Sequence, residues 1–115
     1  MRKPIILSIF VLLALLFNGC SSNPPQIDLE TSAFDFGNVV NGVVMEKDLT
    51  IRNTGGEDLI ILAIITSCDC TNAELDSTRI PAGDSATLLI AFDSGECGPE
   101  LIRQVVRKVI LVSND

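Results

Sequence analysis

From Ile27 onward, short apolar runs alternate with clusters of Gly, Asn, Pro, Ser and Asp. A turn cluster arrives roughly every ten positions, a spacing that suits strands joined by tight turns and leaves little room for packed helices. Residues 27–29 and 34–36 alternate apolar with acidic side chains. Residues 43–52 predict a strand with Leu49 and Ile51 on one face and Thr50 and Arg52 on the other. Asn53, Thr54, Gly55 and Gly56 predict a turn in which the glycines supply positive φ. Residues 59–65 are apolar on both faces, as in a strand buried on both sides or covered on one by a partner. Residues 73–75 suit a short strand, and Pro81, Ala82, Gly83 and Asp84 a turn. Ala86, Leu88, Ile90 and Phe92 share a face of the next strand, and residues 95–99 form a loop.

The closing segment supports two patterns. Leu101, Ile102, Val105, Val106, Val109 and Ile110 would line one face of a helix over residues 99–108 and just beyond. The β-branched density of residues 109–112 suits a strand instead. A strand from about Val105 onward is the expectation, because a sandwich otherwise lacks its last partner. The chain is therefore expected to form an all-β, antiparallel sandwich over residues 27–115.

The start of the chain has a different character. Arg2 and Lys3 precede an apolar run over residues 5–17, interrupted only by Ser8, and then come Asn18, Gly19 and Cys20. A basic head, a short apolar middle and a small residue at the end make a secretory signal over residues 1–19. The run is too short to span a membrane, which takes roughly 20 residues. A cysteine in that place resembles a bacterial lipobox, in which the thiol receives diacylglycerol, although Phe17 and Asn18 differ from the usual Leu and Ala or Ser. The resemblance makes Cys20 the lipidation site and residues 20–26, with Pro24 and Pro25, a tether. Ser21 is not an acidic inner-membrane retention signal, so the expected address is the periplasmic side of the outer membrane.

What remains after Gly19 is 96 residues, one small domain with its tether. Losing Arg2 and Lys3 leaves six basic against fifteen acidic residues, a net charge of −9. An acidic surface opposes nucleic acid and anionic lipid headgroups. The chain has no His, Trp or Tyr. It therefore has no imidazole base, no His-activated nucleophile and no histidine metal ligand. Asp and Glu are scattered over turns and strand surfaces, so no catalytic residue, cofactor or metal is assigned and no enzyme is expected.

With Cys20 lipidated, Cys68, Cys70 and Cys97 remain as disulfide or thiol candidates. On an extended chain Cys68 and Cys70 face one way with Cα atoms about 6.5 Å apart, so a bond between them needs a turn. Alternating strand directions put Cys68, Cys70, Cys97 and the 37–42 loop at one pole, with the tether and the C-terminal residues at the other. Three readings of that cluster compete. One is a structural disulfide from Cys97 to Cys68 or Cys70, worth about 3–4 kcal/mol for a loop of about 27–29 residues. A second is a redox-labile thiol site. The third is a soft metal on two or three thiolates with Asp69 or Glu96 nearby.

From Phe34 to Asp115 the chain resembles a family of bacterial envelope proteins, domain-of-unknown-function family fifteen-seventy-three, related to the Hydin-type (ASH) immunoglobulin-like domains. The resemblance is carried by Phe36-Gly37-Asn38-Val39, Gly42, Asn53-Thr54-Gly55, Leu59 and Ile61. It continues through Cys68-Asp69-Cys70-Thr71, Ile80-Pro81-Ala82-Gly83 and Ser113-Asn114-Asp115. It implies a seven-stranded, immunoglobulin-like sandwich and no known enzymatic activity. The chain departs from the family pattern in having Asp69, not Gly, between the cysteines, and in carrying Cys97.

The functional expectation is a lipid-anchored, non-enzymatic binding or scaffolding module of the cell envelope. Its partners are the membrane, through the anchor, and an envelope protein, through the 59–65 strand or open sheet edges. The sequence sets no oligomeric state. The alternative is a thiol redox or soft-metal-handling protein working through Cys68, Cys70 and Cys97.

Overall fold

The computed structural model describes residues 23–97 and 104–115. Seven strands form: β1 (Ile27–Leu29), β2 (Val44–Asn53), β3 (Leu59–Thr66), β4 (Thr71–Leu75), β5 (Arg79–Ile80), β6 (Ser85–Asp93) and β7 (Val109–Ser113). They build two antiparallel sheets, one of four strands in the order β1-β2-β6-β4 and one of three in the order β5-β3-β7. The four-plus-three β-sandwich is the division of an immunoglobulin-like domain. After β2, every connection carries the chain from one sheet to the other.

Alternation explains the core. In β2, Leu49, Ile51 and Asn53 point inward while Asp48, Thr50 and Arg52 are exposed. In β6, Ala86, Leu88 and Ile90 point inward opposite Ile51, Leu49 and Lys47. Leu59, Ile61 and Ile80 close the core from the other sheet, with Ile64, Val109 and Leu111 packed against it. Ile51 and Leu59 are wholly excluded from solvent, which is where removal of apolar area from water contributes most.

Asn53 is the polar exception. It is completely buried, and its side chain is fully used. Nδ2 donates to the carbonyls of Glu57 (2.6 Å) and Ile80 (2.9 Å), and Oδ1 accepts from the amides of Gly55 (3.0 Å) and Gln26 (3.2 Å). One amide thus joins the start of β1, the turn after β2 and the end of β5.

Three expectations are corrected. Gly55 and Gly56 are not the positive-φ glycines; those are Gly37, Gly42 and Gly83. A Cβ on Gly55 would meet the Pro24 carbonyl, and one on Gly56 would lie 2.9 Å from Asn23. These glycines are needed because residues 23–26 cross over them. Residues 34–36 are not a strand. Asp35 accepts its own chain's Gly37 amide at 2.7 Å, a local turn that competes with strand pairing. Phe34 sits edge-on to Phe36, which stacks on Phe92. The last strand begins at Val109, not near Val105, and residues 104–108 are neither strand nor helix. The rest of the helical alternative, residues 99–103, lies outside the described residues.

Candidate functional site

The two poles of the sandwich carry different chemistry. At one, the Ile27 amide donates to Asp115 Oδ2 at 2.8 Å, and residues 23–26 pack on the turn after β2. At the other, β3 ends, β4 begins opposite Phe92, β6 ends opposite Val44, and β7 begins opposite Thr66. The turn carrying Cys68 and Cys70 and the 3-10 turn Ser94–Cys97 lie at this second pole. So does the 37–42 loop, because Ser94 Oγ accepts from the Val43 amide at 3.0 Å and donates to the Val40 carbonyl at 2.8 Å. The backbone therefore brings all three candidate cysteine positions to the pole away from Asn23. Cys20 and the leader lie outside the described residues, and so does the Cys97 side chain.

Cys68 is bonded to Cys70. This corrects the expectation that either would pair with Cys97. The chain turns between β3 and β4, where the Thr71 amide bonds the Cys68 carbonyl at 3.3 Å. The turn draws the two Cα atoms to 5.2 Å, inside the range a disulfide spans. Neighbours two residues apart thus meet without any long loop being closed.

The two sulfurs have different surroundings. Cys70 is 4% exposed, whereas Cys68 is only partly buried and Asp69 between them is exposed. A half-cystine has no S–H, so the Thr71 hydroxyl is the donor to Cys68 Sγ, at 3.5 Å. Arg107 Nε donates to Cys70 Sγ at 3.2 Å. Arg107 reaches it because Ser67 and Lys108 are paired: the Ser67 amide bonds the Lys108 carbonyl, and the Lys108 amide bonds Ser67 Oγ, both at 2.9 Å. Sequence reasoning missed Arg107 in this role. It stands 37 positions from Cys70, and only the pairing of β3 with β7 brings the two together. Among the described residues no cluster of three or more His, Cys, Asp or Glu is placed to hold a metal ion.

A second feature lies on the three-stranded sheet. The register of β3 against β7 shifts between Ile61 and Ala63, a bulge at Leu62. Before it Leu59 and Ile61 face the core; after it Ile64 does. Leu62 and Ile65 are left on the outer face at 64% and 50% exposure, beside Ile110 and Val112 of β7. β3 is therefore central in its sheet but not buried on both sides. β5 covers only Leu59 and Ile60, so among the described residues the β5 margin of this sheet ends early, while β7 pairs β3 through Thr66. The outer face of the other sheet carries Asp48, Thr50, Arg52, Asn72, Glu74 and Thr87 around a partly buried Leu89 and Ala91, with Val44 exposed at its end, and is mainly polar.

The family model described as "Protein of unknown function (DUF1573)" matches residues 27–114, the whole sandwich from β1 to β7. The chain belongs to this family. No curated protein matches it. Among solved structures, it is similar to a crystal structure of a protein of unknown function from Porphyromonas gingivalis W83, at 26% identity and a TM-score of 0.57. That likeness covers 66% of this chain, and the chain spans about a third (34%) of the length of that protein. The family match includes the Cys68–Cys70 turn, β3 and β7, and it excludes Cys20. Among the described residues, no helix is long and apolar enough to cross a membrane.

Proposed function

We propose that this chain is a lipid-anchored, non-enzymatic binding module of the bacterial cell envelope. It is held through Cys20 at the periplasmic side of the outer membrane and engages an envelope protein. The observation that carries the reading is the asymmetry of the two sheets. Four apolar side chains, Leu62, Ile65, Ile110 and Val112, are exposed on the outer face of β3 and β7, while the outer face of the four-stranded sheet is mainly polar around Leu89 and Ala91, with Val44 at its end. Contiguous apolar surface on one side only is the pattern of a contact face.

Charge favours a particular partner. Without residues 1–19 the chain carries fifteen acidic residues against six basic. The complementary surface is apolar where it meets β3 and β7, on a partner of net positive charge. The early end of β5 leaves the β3 margin beyond Ile61 available for an added strand from that partner.

Photo-crosslinking residues placed at Leu62, Ile65 and Ile110, with Thr50 and Glu74 as controls on the other sheet, test this in the intact envelope. The expected result is one protein joined from the three outer-face positions and not from the controls, and lost when Leu62→Asp and Ile110→Asp are combined in a chain that keeps its β-sheet circular dichroism. Equal crosslinking from both sheets, or products containing only this chain, overturns the reading.

A further inference from the structure

We infer that the Cys68–Cys70 disulfide is a dithiol–disulfide exchange site, with Cys68 as the sulfur attacked and Cys70 as the leaving thiolate held by Arg107. The inference goes beyond the binding reading and does not rest on it. The site is at the pole bearing the β3–β4 turn and contains none of the outer-face residues Leu62, Ile65 and Ile110.

Three observations converge. First, the bond links residues only two apart in sequence. It closes so short a loop that on a chain-entropy account it stabilises the fold far less than a long-range bridge would. Second, the sulfurs are unequal in access. Cys68 is partly exposed in a turn, beside the exposed Asp69, while Cys70 is 4% exposed. Of the two, Cys68 is the residue open to solvent and hence to an incoming thiolate. Third, the buried sulfur, the one poorly placed for attack, is the one in contact with a guanidinium, at 3.2 Å from Nε. A guanidinium is a permanent cation. Beside a disulfide sulfur that charge does little, and beside a thiolate it is strongly favourable, so it stabilises the reduced state selectively. Two described carboxylates lie close to Cys70 along the backbone or through it. Asp69 is exposed, and Asp93, whose amide bonds the Cys70 carbonyl at 2.8 Å, has its Oδ1 on the Gly95 amide.

The exchange runs with a partner dithiol, on a protein or a small molecule. One partner thiolate attacks Cys68 Sγ. A mixed disulfide forms as the Cys68–Cys70 bond breaks, and the bonding pair leaves on Cys70 Sγ as a thiolate against Arg107. The partner's second thiol, having lost its proton to solvent, then attacks its own sulfur in the mixed disulfide and displaces Cys68. The partner dithiol is oxidised by two electrons to a disulfide. Cys68 and Cys70 take up those two electrons, and solvent returns a proton to Cys68.

The test uses the mature protein extracted from membranes in detergent, equilibrated with reduced and oxidised glutathione. Alkylation and mass spectrometry of the tryptic peptide 53–79 give the reduced fraction, because that peptide carries Cys68 and Cys70 and no other cysteine. The native protein is expected to reach a measurable reduced fraction without unfolding. Arg107→Gln should shift the equilibrium toward the disulfide about tenfold, the effect of moving a thiol pKa by one unit. Arg107→Lys should recover part of the shift, and neither change should alter the urea midpoint of the oxidised protein by more than a few tenths molar. A disulfide that opens only in denaturant overturns the inference, and so does an Arg107→Gln equilibrium within twofold of the parent. Neither result touches the crosslinking outcome, so the two readings fail separately.

Discussion

Asn53 shows how much a single side chain can fix when its surroundings leave it no freedom. Its amide has two donors and one acceptor oxygen, and each faces a fixed backbone partner. Loss of those bonds strands the Ile80 carbonyl and the Gly55 amide away from water, and a buried unsatisfied group costs about 1–3 kcal/mol. Asn53→Ala is therefore expected to lower unfolding free energy by about 3 kcal/mol or more, read from urea denaturation followed by circular dichroism. A loss below about 1 kcal/mol would show that water replaces the amide and that Asn53 is no hub. The sequence marked Asn53 only as the first residue of a turn. Its burial could not be read there, because the partners Gln26, just before β1, and Ile80, at the end of β5, are each 27 positions away.

At the scale of elements, β3 is where pattern reading and structure part most clearly. Seven consecutive apolar residues look alike in the sequence, and nothing local marks Leu62 as the bulge. The bulge is set by two demands that conflict. Leu59 and Ile61 must face the core beside Ile80, while Ile64 must face it opposite Leu111, and that is one residue out of step. Removing Leu62 makes Ile61 and Ala63 neighbours opposite Ser113 and Val112, and strict alternation then keeps Leu59, Ile61 and Ile64 all on the core side. The Leu62 deletion is therefore expected to leave thermal unfolding cooperative. Leu62→Ala, which truncates a side chain 64% exposed, should change stability by no more than about 0.5 kcal/mol. Loss of cooperative unfolding in the deletion variant would mean that the fold needs the bulge itself. By contrast β2 and β6 were legible, because their polar and apolar residues alternate along the length that faces the core.

For the molecule as a whole, the question is what holds so small a sandwich together. The described disulfide spans one turn at a pole, and the core lies between the sheets. Ile51→Ala opens a cavity at a wholly buried position and should cost about 2–5 kcal/mol. Cys68→Ser combined with Cys70→Ser releases a closed loop of three residues, worth about 1.5 kcal/mol on a chain-entropy account. The urea midpoint is expected to fall further for Ile51→Ala than for the double cysteine variant. The reverse order would make the disulfide the main brace of the fold and would weigh against its opening in the native protein.

The amino-acid sequence by itself determined the all-β class, the main strands and the inward residues of β2 and β6. These follow from the period of side chains on a pleated strand and from turn residues, both local properties. It also placed Cys68, Cys70 and Cys97 at a common pole, because strands joined by short turns must alternate in direction. Only the tertiary structure decided that Cys68 bonds Cys70, that Arg107 meets the buried sulfur, and that the outer face of β3 is open. Each of these depends on register between strands far apart in the chain. That register is chosen by the packing of both sheets at once, which no single segment encodes.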